Sequence, residues 1–168
     1  MPRYERTSRI EAPFEAVWEF HAGPEGLLAL TPAIANLEIE AVHAADSRTF
    51  EEELPEVRKA GARLVGSVRP FGIGPRQRFV SEIVAREREN NRGYFRDVLQ
   101  EGPLARWVHT HRFAADGERT ILTDSVRYEL PQEWTSPLVK PGLAIAFADR
   151  HRRTRARLAG EAADAGRK

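Results

Sequence analysis

The run Gly102-Pro-Leu-Ala-Arg-Trp-Val-His-Thr-His-Arg-Phe-Ala-Ala-Asp-Gly-Glu-Arg-Thr-Ile-Leu-Thr-Asp-Ser-Val-Arg-Tyr-Glu-Leu-Pro131 holds two stretches of alternating hydrophobicity around Asp116-Gly117. Asp-Gly between alternating strands signals a tight type I′ hairpin. A two-residue turn there sets Ala115 against Glu118, Phe113 against Thr120, His111 against Leu122, His109 against Asp124 and Trp107 against Val126. Period 2 puts Trp107, His109, His111 and Phe113 on one face with Leu122, Asp124, Val126 and Tyr128. The opposite face, with Arg106, Val108, Thr110 and Arg112 against Ile121, Thr123, Ser125 and Arg127, is the wetter one. The aromatic face is therefore the inner face, and it carries an opposed His and Asp. Such a pair is either a structural hydrogen bond or the wall of a cavity.

Outward from this hairpin, Tyr4 to Ile10 reads as a first strand ended by Ala12-Pro13. Phe14, Val17, Trp18 and His21 follow at helical spacing, with Pro13 suited to the first helical position. Glu25 to Leu30 makes a second short helix after Gly23-Pro24. Asn36 to Val42, Arg63 to Arg69, Arg76 to Arg88 and Gly93 to Gln100 read as strands, and residues 44 to 60 as a loop with a possible short strand at Thr49 to Leu54. From Pro141 the period changes to that of a helix. Leu143, Ala146, Phe147, Arg150 and Leu158 share one side, and a helix reaching Ala159 is on the order of 28 Å long. Residues 1–160 thus form one domain, and 161–168 a fraying tail. The class is α+β, an antiparallel sheet with its helices on one face.

The composition excludes several functions. At 168 residues the chain buries roughly 70% of its unfolded surface, so a core and a small pocket can coexist. A formal net charge of +1 gives no general attraction to nucleic acid or anionic membrane. Zero cysteines exclude disulfides and thiolate chemistry. No apolar run approaches the ~18 residues of a membrane span, and the amino terminus has no leader-like apolar stretch, so a cytoplasmic protein is expected. Asp149-Arg-His-Arg-Arg-Thr-Arg-Ala-Arg157 is dense in positive charge, but the charges surround the helix and no aromatics interleave for base stacking. It reads as the solvated end of a helix, with cations suited to the helix dipole.

This order of elements resembles the helix-grip fold of the START-like (SRPBCC) superfamily, and most closely a bacterial ligand-binding or cyclase/dehydrase-like branch. The residues carrying the resemblance are Ile10-Glu-Ala-Pro13, Leu30-Thr-Pro32, Gly61 with Arg69-Pro-Phe-Gly72, Gly102-Pro103, Trp107-x-His-x-His-x-Phe113, and Thr123-Asp124 with Tyr128-Glu-Leu-Pro131. It spans nearly the whole chain, the acidic segment Glu51 to Lys59 being a departure. The resemblance implies a curved antiparallel sheet around a long C-terminal helix, two short helices after the first strand, and a cavity for a small hydrophobic molecule. The expected function is binding or carriage of an aromatic, lipid or isoprenoid-like ligand. The alternative is a cyclase- or dehydratase-like enzyme, with His109 as base, Asp124 as its orienting partner and Tyr128 as a hydrogen-bond donor.

The candidate pocket residues are Trp107, His109, His111, Phe113, Asp124, Tyr128, Phe79 and Phe147. His109 and Asp124 read first as a buried hydrogen-bonded pair, since a buried polar group needs a partner. Asp97 lies in the neighbouring strand, on a face that the length of the turn at Glu101-Gly-Pro103 decides. A two-His-one-carboxylate metal site from His109, His111 and Asp124 is set aside, because the expected register puts Asp124 beside one histidine only. The serines lie in ordinary strand contexts, and the glycines of Phe71-Gly-Ile-Gly-Pro75 open no helix, so neither a nucleophile elbow nor a phosphate loop is expected. No metal, cofactor or nucleic-acid partner is expected.

Overall fold

The turn at the tip of the hairpin consists of Gly117 and Glu118, with Asp116 opposite Arg119. A type I′ turn on Asp116-Gly117 needs positive φ at both residues. Of the two only Gly117 is positive, at 63°, which suits Gly at the first position of a type II′ turn. Every pair is therefore displaced by two from the expected register. Phe113 faces Leu122, His111 faces Asp124, His109 faces Val126 and Trp107 faces Tyr128. An even displacement leaves each side chain on its expected face, so the inner wall keeps its composition while the His109–Asp124 pairing becomes diagonal.

The computed structural model describes residues 1–22, 26, 29–30, 36–43, 60–69, 72–130 and 136–165. In chain order the elements are β1 (Arg3–Ile10), α1 (Phe14–Ala22), β2 (Glu38–His43), β3 (Arg63–Val68), β4 (Gln77–Glu89), β5 (Arg92–Glu101), β6 (Arg106–Asp116), β7 (Arg119–Glu129) and α2 (Ser136–Ala165). The strands form one sheet in the order β1-β7-β6-β5-β4-β3-β2, and every pairing is antiparallel. Irregular register at Ile39/Ala41, Val80/Ser81 and Ile83/Ala85 falls in β2 and β4, where bulges bend the sheet. Among the described residues one helix, α1, is confirmed between β1 and β2. The second short helix, Glu25 to Leu30, falls mostly outside the described residues, as does the possible strand at Thr49 to Leu54.

Helix α1 buries Phe14, Val17, Trp18 and His21, the expected stripe, and the Pro13 carbonyl accepts its first hydrogen bond, from the Val17 N–H at 3.2 Å. Trp18 lies on β5 directly over Gly93. A Cβ at that glycine would stand 2.6 Å from the indole, so only glycine permits the approach. Ile10, Phe14, Val17, Trp18, Phe95, Phe113, Leu122 and Leu158 close this end of the molecule as a solid core.

Helix α2 starts five residues before Pro141 and runs to Ala165, so the expected start at Pro141 is corrected. Proline removes one backbone hydrogen bond inside a helix. Here the turns around Pro141 are held by Val139, Leu143 and Ala144 against Tyr4, Val126, Tyr128 and Phe147. Farther along, Phe147, His151, Thr154 and Leu158 are buried at helical spacing. The basic stretch is thus the middle of the helix and only partly solvated: His151 and Thr154 inside it have no exposed surface. Among the described residues no helix is long and apolar enough to cross a membrane.

Candidate functional site

Asp124 is fully buried at the centre of β7, where the sheet meets α2. Its Oδ1 accepts a hydrogen bond from His109 Nε2 at 2.9 Å, and its Oδ2 accepts one from His151 Nε2 at 2.7 Å. His111 Nδ1 stands 2.6 Å from Oδ1, but outside hydrogen-bonding alignment. The Arg150 guanidinium lies 3.8 Å from Oδ2, on the helix side. Burial alone would raise the pKa of this carboxyl. The attraction of His111 and the hydrogen bonds from His109 and His151 outweigh it and hold Asp124 well below the usual carboxylate range. An ionised carboxylate only accepts, so the nitrogens hydrogen-bonded to it carry protons.

Burial and the neighbouring His109 lower the His111 pKa to about 4, so its ring is neutral at ordinary pH. His21, enclosed by Phe20 and Phe113 and hydrogen-bonded to the Val17 carbonyl at 2.8 Å, is likewise lowered, chiefly by burial.

The face of Asp97 is resolved by the β5–β6 register, in which Asp97 stands opposite His109. It therefore shares the inner face with both histidines. Asp97 Oδ1 lies 3.6 Å from His109 Nδ1 and 3.5 Å from His111 Nε2, and Oδ2 accepts a 3.5 Å hydrogen bond from Ser81.

Beside this group lies a cavity of about 220 Å³. Leu64, Phe79, Ile83, Leu99 and Trp107 form much of its apolar wall; Ser81, Asp97, His109, His111 and Arg150 form its polar side. Of the expected pocket residues, Phe79, Trp107, His109 and His111 border this space. Phe113 does not: it packs on Trp18 and Phe95 in the solid core. Tyr128 and Phe147 sit in the cluster beneath the first half of α2, and Asp124 lies behind the imidazoles, without access of its own. Sequence reasoning missed Arg150 as a wall residue and His151 as a partner of Asp124. The signal was the spacing Phe147, His151, Thr154, Leu158, a buried stripe running through residues that look like a charge run.

An antiparallel sheet gripping a C-terminal helix, with a half-apolar cavity between them, defines a helix-grip protein of the START-like superfamily. More narrowly, the chain belongs to the family described as polyketide cyclase / dehydrase and lipid transport, whose model matches residues 1–163. No curated protein matches the sequence. Among solved structures, a Thermus thermophilus protein, TTHA0849, is similar at a TM-score of 0.59 and 21% identity, over 95% of this chain and 99% of that one. A START superfamily protein from Mycobacterium smegmatis aligns at a TM-score of 0.61 and 14% identity, over 94% and 97%. Norcoclaurine synthase from Thalictrum flavum, solved with dopamine and hydroxybenzaldehyde, aligns at 0.58 and 16%, over 94% and 86%. At these identities the likeness is one of fold.

Proposed function

We propose that the chain binds a small, mostly apolar molecule carrying one polar group, with its apolar body against Phe79, Leu99 and Trp107 and its polar group at His109, His111 and Asp97. The observation that carries this reading is the division of one cavity into an apolar wall and a polar wall. Pockets with mostly apolar linings and a few polar groups orient ligands in this way. Size narrows the class. A volume of about 220 Å³ exceeds the ~150 Å³ engineered cavity that admits benzene and falls below the ~300–1,000 Å³ of drug-sized sites. One- or two-ring molecules, or short isoprenoid-like chains, fit that range. The family description, which joins cyclases with lipid transport, and a fold relative solved with two single-ring aromatic molecules agree with this class.

Native mass spectrometry of the protein from its own host tests the reading. A co-purifying apolar molecule, displaced by naphthol, is the expected result. Protein that carries nothing and takes up no naphthol in calorimetry contradicts it.

A second reading is favoured by one specific observation. His109 borders the cavity while its Nε2–H is held by buried Asp124. A histidine oriented by a carboxylate and open to a ligand can act as a general base. His109→Ala separates the two readings. For a carrier, the loss is mainly stability, about 1–3 kcal/mol, because Asp124 loses a buried hydrogen bond. For an enzyme, turnover falls on the order of 10²-fold while ligand binding persists. We expect the carrier pattern.

A further inference from the structure

We propose that Asp97, His109 and His111 form a binding site for one divalent first-row transition-metal ion, with its open coordination positions facing the cavity. This goes beyond the ligand-binding reading and does not depend on it.

The ring nitrogens of the two histidines are divided between two carboxylates. His109 Nε2 and His111 Nδ1 both turn toward Asp124 Oδ1, at 2.9 and 2.6 Å. The opposite nitrogens, His109 Nδ1 and His111 Nε2, turn toward Asp97 Oδ1 at 3.6 and 3.5 Å. A neutral imidazole has one N–H. His109 Nε2 donates to ionised Asp124, and at 2.6 Å a bare lone pair on His111 Nδ1 would be repelled by that carboxylate. The protons therefore belong on the Asp124 side, and the far nitrogens present lone pairs toward Asp97 Oδ1. Three atoms of metal-ligand type thus face one another across a few ångströms.

The spacing suits a metal ion. One ligand atom from each of the three residues lies within 4.8 Å of the others. Two ligands bound about 2.1 Å from a tetrahedral ion stand about 3.4 Å apart, close to the two Asp97 contacts. Two imidazoles and one carboxylate on one side of an ion, with the remaining positions open, suit zinc(II) or iron(II) over calcium or magnesium. Asp124 then has a defined part. Histidines that bind metals hand their other N–H to a carboxylate, which fixes ring orientation and raises ligand basicity. His151, from α2, anchors the second oxygen of that carboxylate at 2.7 Å. Arg150 lies on the Oδ2 side of Asp124, and both imidazoles lie on the Oδ1 side. The expected register puts Asp124 beside one histidine only, which sets a metal site aside; the observed β5–β6 register brings Asp97 to both.

The test uses the full chain after chelator treatment, titrated with zinc chloride by calorimetry and with cobalt(II) chloride by visible absorption. One ion per chain is expected, with a cobalt d–d spectrum typical of nitrogen and oxygen ligands. In Asp97→Asn the affinity should fall on the order of 100-fold, at least matching the loss seen when outer hydrogen-bond partners are removed. Asp97→Asn is the decisive variant, since it leaves the Asp124 network in place; His111→Gln, where it folds, should lose binding equally. Absence of saturable binding, or affinity unchanged in Asp97→Asn, overturns the site. Metal-free protein that takes up naphthol but binds no ion refutes this proposal alone; protein that binds the ion and refuses naphthol supports it and refutes the earlier reading.

Discussion

The two ends of the inner face are built differently. At one end α1 packs Phe14, Val17 and Trp18 onto Phe95, Phe113 and Leu122, all buried, with stacked and edge-on rings between 5.4 and 6.1 Å apart. At the other end β3, β4 and β5 turn Leu64, Phe79, Ile83 and Leu99 toward open space. The same alternation of apolar side chains thus yields a solid core where a helix covers it and a hollow where none of the described elements fills it. Between the ends stands Asp124 with its histidines, whose imidazoles form part of the hollow's wall. The proposed function puts binding at the second end, and close packing puts stability at the first.

That division is open to direct attack. Trp18→Ala should cost about 3–5 kcal/mol, the range for a large aromatic removed from a close-packed core. Phe79→Ala, half-buried and already bordering empty space, should cost only about 1 kcal/mol while weakening naphthol uptake. Chemical denaturation of both variants decides; equal losses would erase the contrast. Asp124→Ala tests the seam. It leaves His109 and His151 without their shared acceptor and Arg150 without its ion-pair partner, and about 3–5 kcal/mol is expected, as for other broken buried ion pairs.

Acid should act on the same seam. His111 has a folded pKa of about 4 against an ordinary 6.5, so the unfolded chain binds its proton first. Its contribution is fully present above pH 6.5 and is lost as the pH falls toward 4, about 3 kcal/mol in all. His21, lowered in the same direction, adds to the slope. Asp124, also lowered, contributes stability above the ordinary carboxylate pKa that is lost only at still lower pH. A melting temperature that falls steadily from pH 6.5 to 4 is expected, and a flat profile would refute the buried neutral imidazoles. The smallest effect belongs to the turn. Gly117→Ala meets no atom within 4 Å, so its cost is that of a positive φ alone, about 1 kcal/mol, with ligand uptake unchanged.

How much of this is legible in the sequence follows from what each feature depends on. Faces depend on period 2, and a register displaced by two residues does not disturb them; the inner wall Trp107, His109, His111, Phe113 is therefore readable even with the wrong turn. Register depends on which residue of Asp116-Gly117-Glu118 takes positive φ, and Asp-Gly statistics favour a different turn from the one that forms. Asp97 is within reach of sequence only if the β5–β6 connection is known. Arg150 and His151 are hidden for another reason. A long helix crossing a sheet can bury one edge of a charged stretch, and there only the spacing Phe147, His151, Thr154, Leu158, not the local composition, records which edge is covered. Pocket membership is a matter of shape: Phe79 and Phe113 are the same residue type on the same face, and only the position of α1 makes one a wall and the other core.

Whether the hollow end receives a ligand can be seen by diffraction from crystals grown with para-bromophenol, since bromine marks its own position. One bound molecule is expected, with its bromine against Phe79 and Leu99 and its hydroxyl within hydrogen-bonding reach of His109, His111 or Asp97. A cavity closed by those side chains and free of bromine, in crystals where the compound is otherwise present, would contradict it.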